Sequence, residues 1–134
     1  NHTINQVPDA DQQLWMMMGD FNSRSSIDNY FYKLDPASTG FLVHDYILQE
    51  TPYVDVIAET YPGEFKTSCL GNARIDFVYC TKPLMDRVKH ADIVRNDYTE
   101  PVRHPQNLSN FCLPSDHRPI VVDFDMKKSK KSKK

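Results

Sequence analysis

Leu14-Trp15-Met16-Met17-Met18-Gly19-Asp20-Phe21-Asn22 is the stretch from which the architecture is read. Its five leading apolar residues show no polar alternation, which suits a strand buried on both faces, and Gly19 ends the run. Asp20 and Asn22 then stand two residues apart at the strand end. Side chains two apart on a strand share a face, so a carboxylate and an amide aim the same way and could hold a phosphate oxygen together with a nearby cation. The plainer reading is an Asx-turn in which both groups satisfy only loop backbone, and so short a motif does not separate the two alone.

Outward from this stretch the chain alternates helical and extended signals. The mostly polar segment before Leu14 reads as loop, with Pro8, Asp9 and Asp11 favouring turns. Ser25 or Ser26 is placed to cap a short helix over Ile27 to Leu34, ended by Asp35-Pro36. Phe41 to Leu48 reads as helix, and Val54 to Tyr61 is ambiguous. Ile75 to Cys80 is β-branched and aromatic and predicts a strand closed by Lys82-Pro83. Leu84 to Val88 allows at most two helical turns, Asp92 to Arg95 an edge strand, and Ile120 to Phe124 the last strand. Between Asn96 and Pro114 three prolines and the lack of any clean period predict a long loop, a kind of segment that often carries function. The pattern is mixed α and β, with at least three strands whose ends meet polar loops.

At 134 residues the chain has the length of one domain. With 40% hydrophobic and 25% charged residues it has an ordinary globular composition. No apolar run approaches the roughly 20 residues of a membrane helix, and no secretory leader opens the chain. The net charge of -2 averages two unlike parts, because six lysines fall within positions 127–134. Without them ten basic residues face 18 acidic ones, so the body carries about -8. That argues against a basic nucleic-acid-binding surface of the repressor kind and leaves a cation site open. The Lys/Ser tail predicts disorder. Cys69, Cys80 and Cys112 show no CxxC spacing and read as reduced thiols, with a Cys69–Cys112 or Cys80–Cys112 bridge as the alternative.

Two further motifs stand at strand ends. Arg74-Ile75-Asp76 opens a strongly apolar strand, and Asp76 faces away from Ile75 and Phe77. A carboxylate there is costly unless something pairs with it; the plain alternative is a surface Arg74–Asp76 pair worth little. Ser115-Asp116-His117-Arg118-Pro119 leads into the last strand. Adjacent Asp116 and His117 point in different directions, so His117 needs another carboxylate to orient its ring, and Asp76 is the candidate. A histidine so held can remove a proton from water near neutral pH.

The order Gly-Asp-Phe-Asn, Arg-Ile-Asp, Ser-Asp-His-Arg-Pro resembles the endonuclease/exonuclease/phosphatase superfamily, over roughly Leu14 to Phe124. The resemblance implies an α/β (α+β) fold, here half of a four-layer α/β/β/α sandwich with a mainly antiparallel sheet. It implies a divalent-metal-dependent phosphodiester hydrolase, nearest the nuclease members. Residue by residue, it implies that Asp20 orients the attacking water or aids the leaving group, and that Asn22 binds the scissile phosphate. Asp76 would orient the catalytic His117, Asp116 would lie at or near the metal, and Arg118 could touch phosphate or serve a structural role typical of the superfamily. Mg²⁺ or Mn²⁺ is the implied cofactor, and a phosphodiester of DNA or RNA the implied substrate.

The superfamily's earlier motifs, among them a Gln-Glu metal ligand, do not precede Leu14. Gln49-Glu50 follows Gly-Asp-Phe-Asn and is in the wrong order to replace it. The chain also opens Asn1-His2-Thr3-Ile4 without an initiator methionine. Residues 1–126 are therefore expected to be the C-terminal portion of a larger domain, weak or inactive alone, with the N-terminal half or a self-associated chain as partner. The alternatives are a phosphoinositide or sphingomyelin phosphohydrolase, the acidic body weighing modestly against the polyphosphate version, and a non-catalytic binding module. Plain readings are preferred elsewhere. Met16 to Met18 read as core filler and Tyr30 to Tyr32 as helix-to-sheet packing, while His44, His90 and His104 read as surface residues.

Overall fold

A computed structural model of the chain describes residues 2–94, 102–103, 111–112 and 115–127. The β-branched and aromatic run in mid-chain becomes a strand at the centre of a three-stranded antiparallel sheet. In chain order the strands of that sheet are β1 (Met16–Asp20), β2 (Tyr53–Asp55) and the central β3 (Asp76–Thr81), in the spatial order β1-β3-β2. A second, two-stranded antiparallel ribbon joins β4 (Val88–Ile93) to β7 (Ile120–Phe124), and β5 (Val102–Arg103) pairs with β6 (Phe111–Cys112). The helices are short: α1 (His2–Asn5), α2 (Asn29–Tyr32), α3 (Leu42–Glu50), α4 (Val56–Thr60) and α5 (Lys82–Met85). The chain is thus mixed α and β with antiparallel sheets, the class expected from its sequence, and no described helix is long and apolar enough to cross a membrane.

Alternation along β3 supplies two cores. Val78 and Cys80 point to one side, where α4 contributes Val56 and Ile57 and the β4–β7 ribbon contributes Ala91, Ile93, Ile120, Val122 and Phe124. Phe77 and Tyr79 point to the other, against Ile4, Ala10, Ile47 and Tyr53. Each fully buried apolar side chain of this kind contributes on the order of 1.5–3 kcal/mol. Thr81 fastens the N-terminal segment to the end of β3: its hydroxyl donates to the Gln13 carbonyl at 2.5 Å and accepts from the Trp15 N–H at 3.1 Å.

Local chemistry explains where elements stop. Asp55 ends β2 and caps α4 by accepting from the Ala58 N–H (3.2 Å), which divides the ambiguous Val54–Tyr61 segment between strand and helix. Ser25 starts a tight turn by accepting from the Ile27 N–H. The helix expected over Ile27 to Leu34 is cut short at Lys33 (φ 56°), because the Asn29 side chain bonds both the N–H and the carbonyl of Leu34 and competes with helical pairing. The edge strand expected at Asp92 to Arg95 begins earlier, at Val88, where it pairs with Phe124.

Several expectations are corrected. β1 is an edge strand rather than one buried on both faces: Met17 packs toward Phe77 and Tyr79, but Met16 and Met18 are 48% and 58% exposed. Those two side chains lie on the face that β3 turns toward the ribbon, and among the described residues the ribbon packs against β3 without covering them. The segment before Leu14 is not plain loop, since Ile4 and Ala10 are buried core residues. Tyr30 and Phe31 are about half exposed rather than packed on the sheet; Phe31 stacks on Phe65 at 3.9 Å. Cys69 and Cys80 are free thiols, as expected, and the side chain of Cys112 lies outside the described residues. His104 and positions 128–134 of the tail lie outside the described residues, as does most of the long loop expected from Asn96 to Pro114.

Candidate active site

Antiparallel pairing of β1 with β3 sets Asp20 directly opposite Asp76. Like charges in that position repel, so the pair calls for a cation or a proton donor between them. His117 fills that role. Its Nδ1 lies 2.8 Å from Asp76 Oδ2, its Nε2 faces Asp20 Oδ2 at 3.8 Å, and Asp116 Oδ1 stands 3.9 Å from the same nitrogen. One ligand atom each from Asp20, Asp76 and His117 falls within 4.8 Å of the others. The hydrogen bond to Asp76 raises the His117 pKa above its ordinary value and outweighs the opposing effect of burial, and the charges of Asp76, Asp116 and Asp20 add to the rise.

The backbone around these groups is tied down locally. Gly19 precedes Asp20 at φ 154°, a conformation side chains rarely adopt, in open space where no Cβ clash would add to the strain. Asp20 Oδ1 accepts from the Asn22 N–H at 2.9 Å, so the Asx-turn is present and leaves Oδ2 directed toward His117. Buried Ser68 accepts from the N–H groups of Ile75 (2.9 Å) and Asp76 (3.1 Å), while its carbonyl takes the Arg118 N–H at 2.8 Å. Cys69 bridges to His117 across an antiparallel pairing, its carbonyl accepts from Arg118 Nη1 (3.1 Å), and the Leu70 N–H donates to the Asp116 carbonyl (3.0 Å). The Ser68–Leu70 segment therefore clamps both halves of the site, a role the sequence reading did not assign. Its only advance signal is the Ser/Thr/Cys cluster before the Gly71-Asn72 turn.

A cleft of about 520 Å³ opens here. Met18, Val78 and Ile120 give it an apolar floor, and Asp20, Asp76, His117 and Arg118 line it with polar groups. Asp116 stands at the rim, with its side chain 74% exposed. Asn22 does not join the lining: it sits in the left-handed region (φ 48°) past the strand end, which carries it off the face shared by Asp20. Glu50 is an exposed residue at the end of α3.

Beneath the site lies a buried ion cluster. Arg74 donates to Asp55 through both terminal nitrogens (2.9 and 2.7 Å) and to Asp28 through Nε (2.8 Å), and its guanidinium rests on the Phe77 ring. All three charged residues are almost fully buried. Burial opposes the Arg74 charge, but the two carboxylates outweigh it and hold the guanidinium firmly protonated. Burial likewise raises the Asp28 carboxyl above its ordinary value, with Arg74 opposing. The surface Arg74–Asp76 pair considered from the sequence is thus replaced by a buried pairing with residues 46 and 19 positions away. His44, read as a surface residue, is also fully buried. The missed signal is its place with Phe41 and Ile47 on one helical face.

No family model matches this sequence, and no curated protein matches it. Among solved structures, an AP endonuclease from Archaeoglobus fulgidus superposes with a TM-score of 0.62 at 22% identity, over 93% of this chain and 50% of that one. The chain therefore spans about half the length of that structure, and the likeness is one of fold: a mixed α/β, antiparallel-sheet architecture like that of the AP endonuclease.

Proposed function

We propose that this chain carries the histidine-centred part of a divalent-metal phosphodiester hydrolase of the nuclease type. The observation that carries the reading is the Asp76–His117–Asp20 array in one cleft, with Nδ1 engaged at 2.8 Å and Nε2 turned to the opposite carboxylate. Accepting the Nδ1–H, Asp76 holds the ring in the tautomer whose Nε2 can take a proton from water. Asp20, on the far side of Nε2, orients that water or receives the proton onward. Arg118 lines the same cleft and is the candidate for contact with a phosphate oxygen; Asn22 would need to swing toward the cleft to join it. The donor set suits a hard cation, because two facing carboxylates and the open Asp116 carboxylate offer oxygen ligands of the kind Mg²⁺ or Mn²⁺ takes. Such a cation, when bound, would offset the charge developing on phosphate. The fold neighbour's printed name, an AP endonuclease, favours a nucleic-acid phosphodiester, DNA or RNA, as the substrate class.

The same reading makes residues 1–126 part of a larger domain. Half-length coverage of the fold neighbour supports this, as does the apolar face of Met16 and Met18 that runs on from the cleft floor. The other half of the domain, or a second copy of the chain, is the partner that face suits.

Mg²⁺-dependent cleavage of supercoiled plasmid or of a chromogenic phosphodiester tests both statements. In the assembled domain, His117→Ala is expected to lower turnover by about 10²–10⁴-fold, the usual contribution of a positioned general base. Unchanged turnover overturns the hydrolase reading. Strong turnover by this chain alone, abolished by the same substitution, overturns the partial-domain reading. If Mg²⁺ neither supports turnover nor raises the melting temperature, a non-catalytic module is the better account.

A further inference from the structure

His44 is a buried histidine that the proposed hydrolysis does not use, and its surroundings give it a defined task. The ring packs in an aromatic cluster with Phe77 (centroids 4.0 Å apart) and Phe21 (5.3 Å). Nε2 is 3.2 Å from the Ser23 carbonyl, which can only accept, so Nε2 carries the proton; the Ser23 hydroxyl shares that donor at 3.0 Å. Nδ1 is then an acceptor and takes the Tyr79 hydroxyl proton at 2.5 Å. Ser23 Oγ passes the chain on by donating to the Phe21 carbonyl at 3.1 Å. In this neutral tautomer both ring nitrogens are hydrogen-bonded. Burial favours it, pushing the His44 pKa down to about 4 against the weaker upward pull of the Ser23 carbonyl and of Asp55 and Asp45, with Arg74 also pushing it down.

Ser23 is the residue after Asn22, which takes the left-handed conformation (φ 48°) that asparagine tolerates in turns. The Asn22 N–H in turn holds Asp20 Oδ1, which leaves Oδ2 facing His117. We propose that His44 is a positioning residue: by gripping both the carbonyl and the hydroxyl of Ser23 it fixes the Asp20–Ser23 turn, and through the Asn22 N–H it sets the carboxylate of Asp20 toward His117. The catalytic meaning of that orientation rests on the hydrolase reading above, whereas the grip on the turn does not.

Hydrogen exchange of the Asn22 amide, followed by nuclear magnetic resonance alongside the global melting temperature, tests this in the chain as it stands. H44L should speed Asn22 exchange at least tenfold. H44Q, whose side-chain N–H can still reach the Ser23 carbonyl, should restore most of the protection, and Y79F, which removes the Nδ1 partner but leaves the Nε2–H in place, should keep wild-type Asn22 exchange even where it lowers the melting temperature. A purely structural histidine gives no such rescue: equal Asn22 exchange in H44Q and H44L, or wild-type exchange in H44L, overturns the proposal. Should H44L not fold, S23A removes one acceptor of the ring outside the core. Exchange at least threefold faster then supports the proposal, and a wild-type rate overturns it. If the expected exchange pattern appears while H117A leaves phosphodiester turnover untouched, the hydrolase reading falls and the grip of His44 on the turn stands.

Discussion

The 2.8 Å contact between His117 Nδ1 and Asp76 governs how the metal-free protein responds to pH. Because the partner raises the folded-state pKa of His117, the protonated ring is favoured by folding. Its stabilising contribution is fully present below the unfolded value near 6.5 and is lost as pH rises through the higher folded value. Histidine ring shifts in metal-free protein should therefore show His117 titrating above 6.5, and Asp76→Asn should bring it down toward that value; an unmoved titration in the variant refutes the pairing. A general base works neutral, so turnover should climb with pH as His117 loses its proton. Asp20, Asp76 and His117 were legible in the sequence because each sits in a short polar motif at the end of an apolar strand. His44 was not, because a lone histidine shows its burial only through the helical face it shares with Phe41 and Ile47.

Arg74 works at the level of elements, joining the Ser26–Asp28 turn, the β2–α4 junction and the start of β3 through three hydrogen bonds of 2.7–2.9 Å. Removing one member of a buried ion cluster leaves uncompensated charge behind, which typically costs about 3–5 kcal/mol. Arg74→Ala is expected to lower unfolding free energy by about that much in urea denaturation, while an Asp28→Asn, Asp55→Asn, Arg74→Met triple variant should recover a good part of the loss. A loss below about 1 kcal/mol in the single variant would show that the cluster is not structurally coupled. The local sequence found β3, β7 and α3 to within two residues, since residue type and turn signals act over short range. It could not find Arg74's partners, whose proximity exists only once three separate segments converge.

For the whole molecule, the decisive feature is the uneven cover of the central sheet. β3 is enclosed on both faces, yet among the described residues β1 has no second neighbour in its sheet and presents Met16 and Met18. Open strand edges and apolar faces recruit partners. The isolated chain should therefore self-associate with rising concentration in sedimentation experiments, and the double variant Met16→Glu, Met18→Glu should stay monomeric. Its stability should change by no more than about 0.5 kcal/mol, as for exposed positions generally. Equal self-association of the two proteins would place the contact elsewhere. The sequence by itself determined the mixed α/β class, the strands β1, β3 and β7 and the three polar motifs at strand ends, because apolar runs and strand-end chemistry are local. Only the tertiary structure decided that Met16 and Met18 are uncovered among the described residues, that Asn22 does not line the cleft, and that Arg74 and His44 are buried. Those outcomes depend on which distant surfaces meet, and no single segment carries that information.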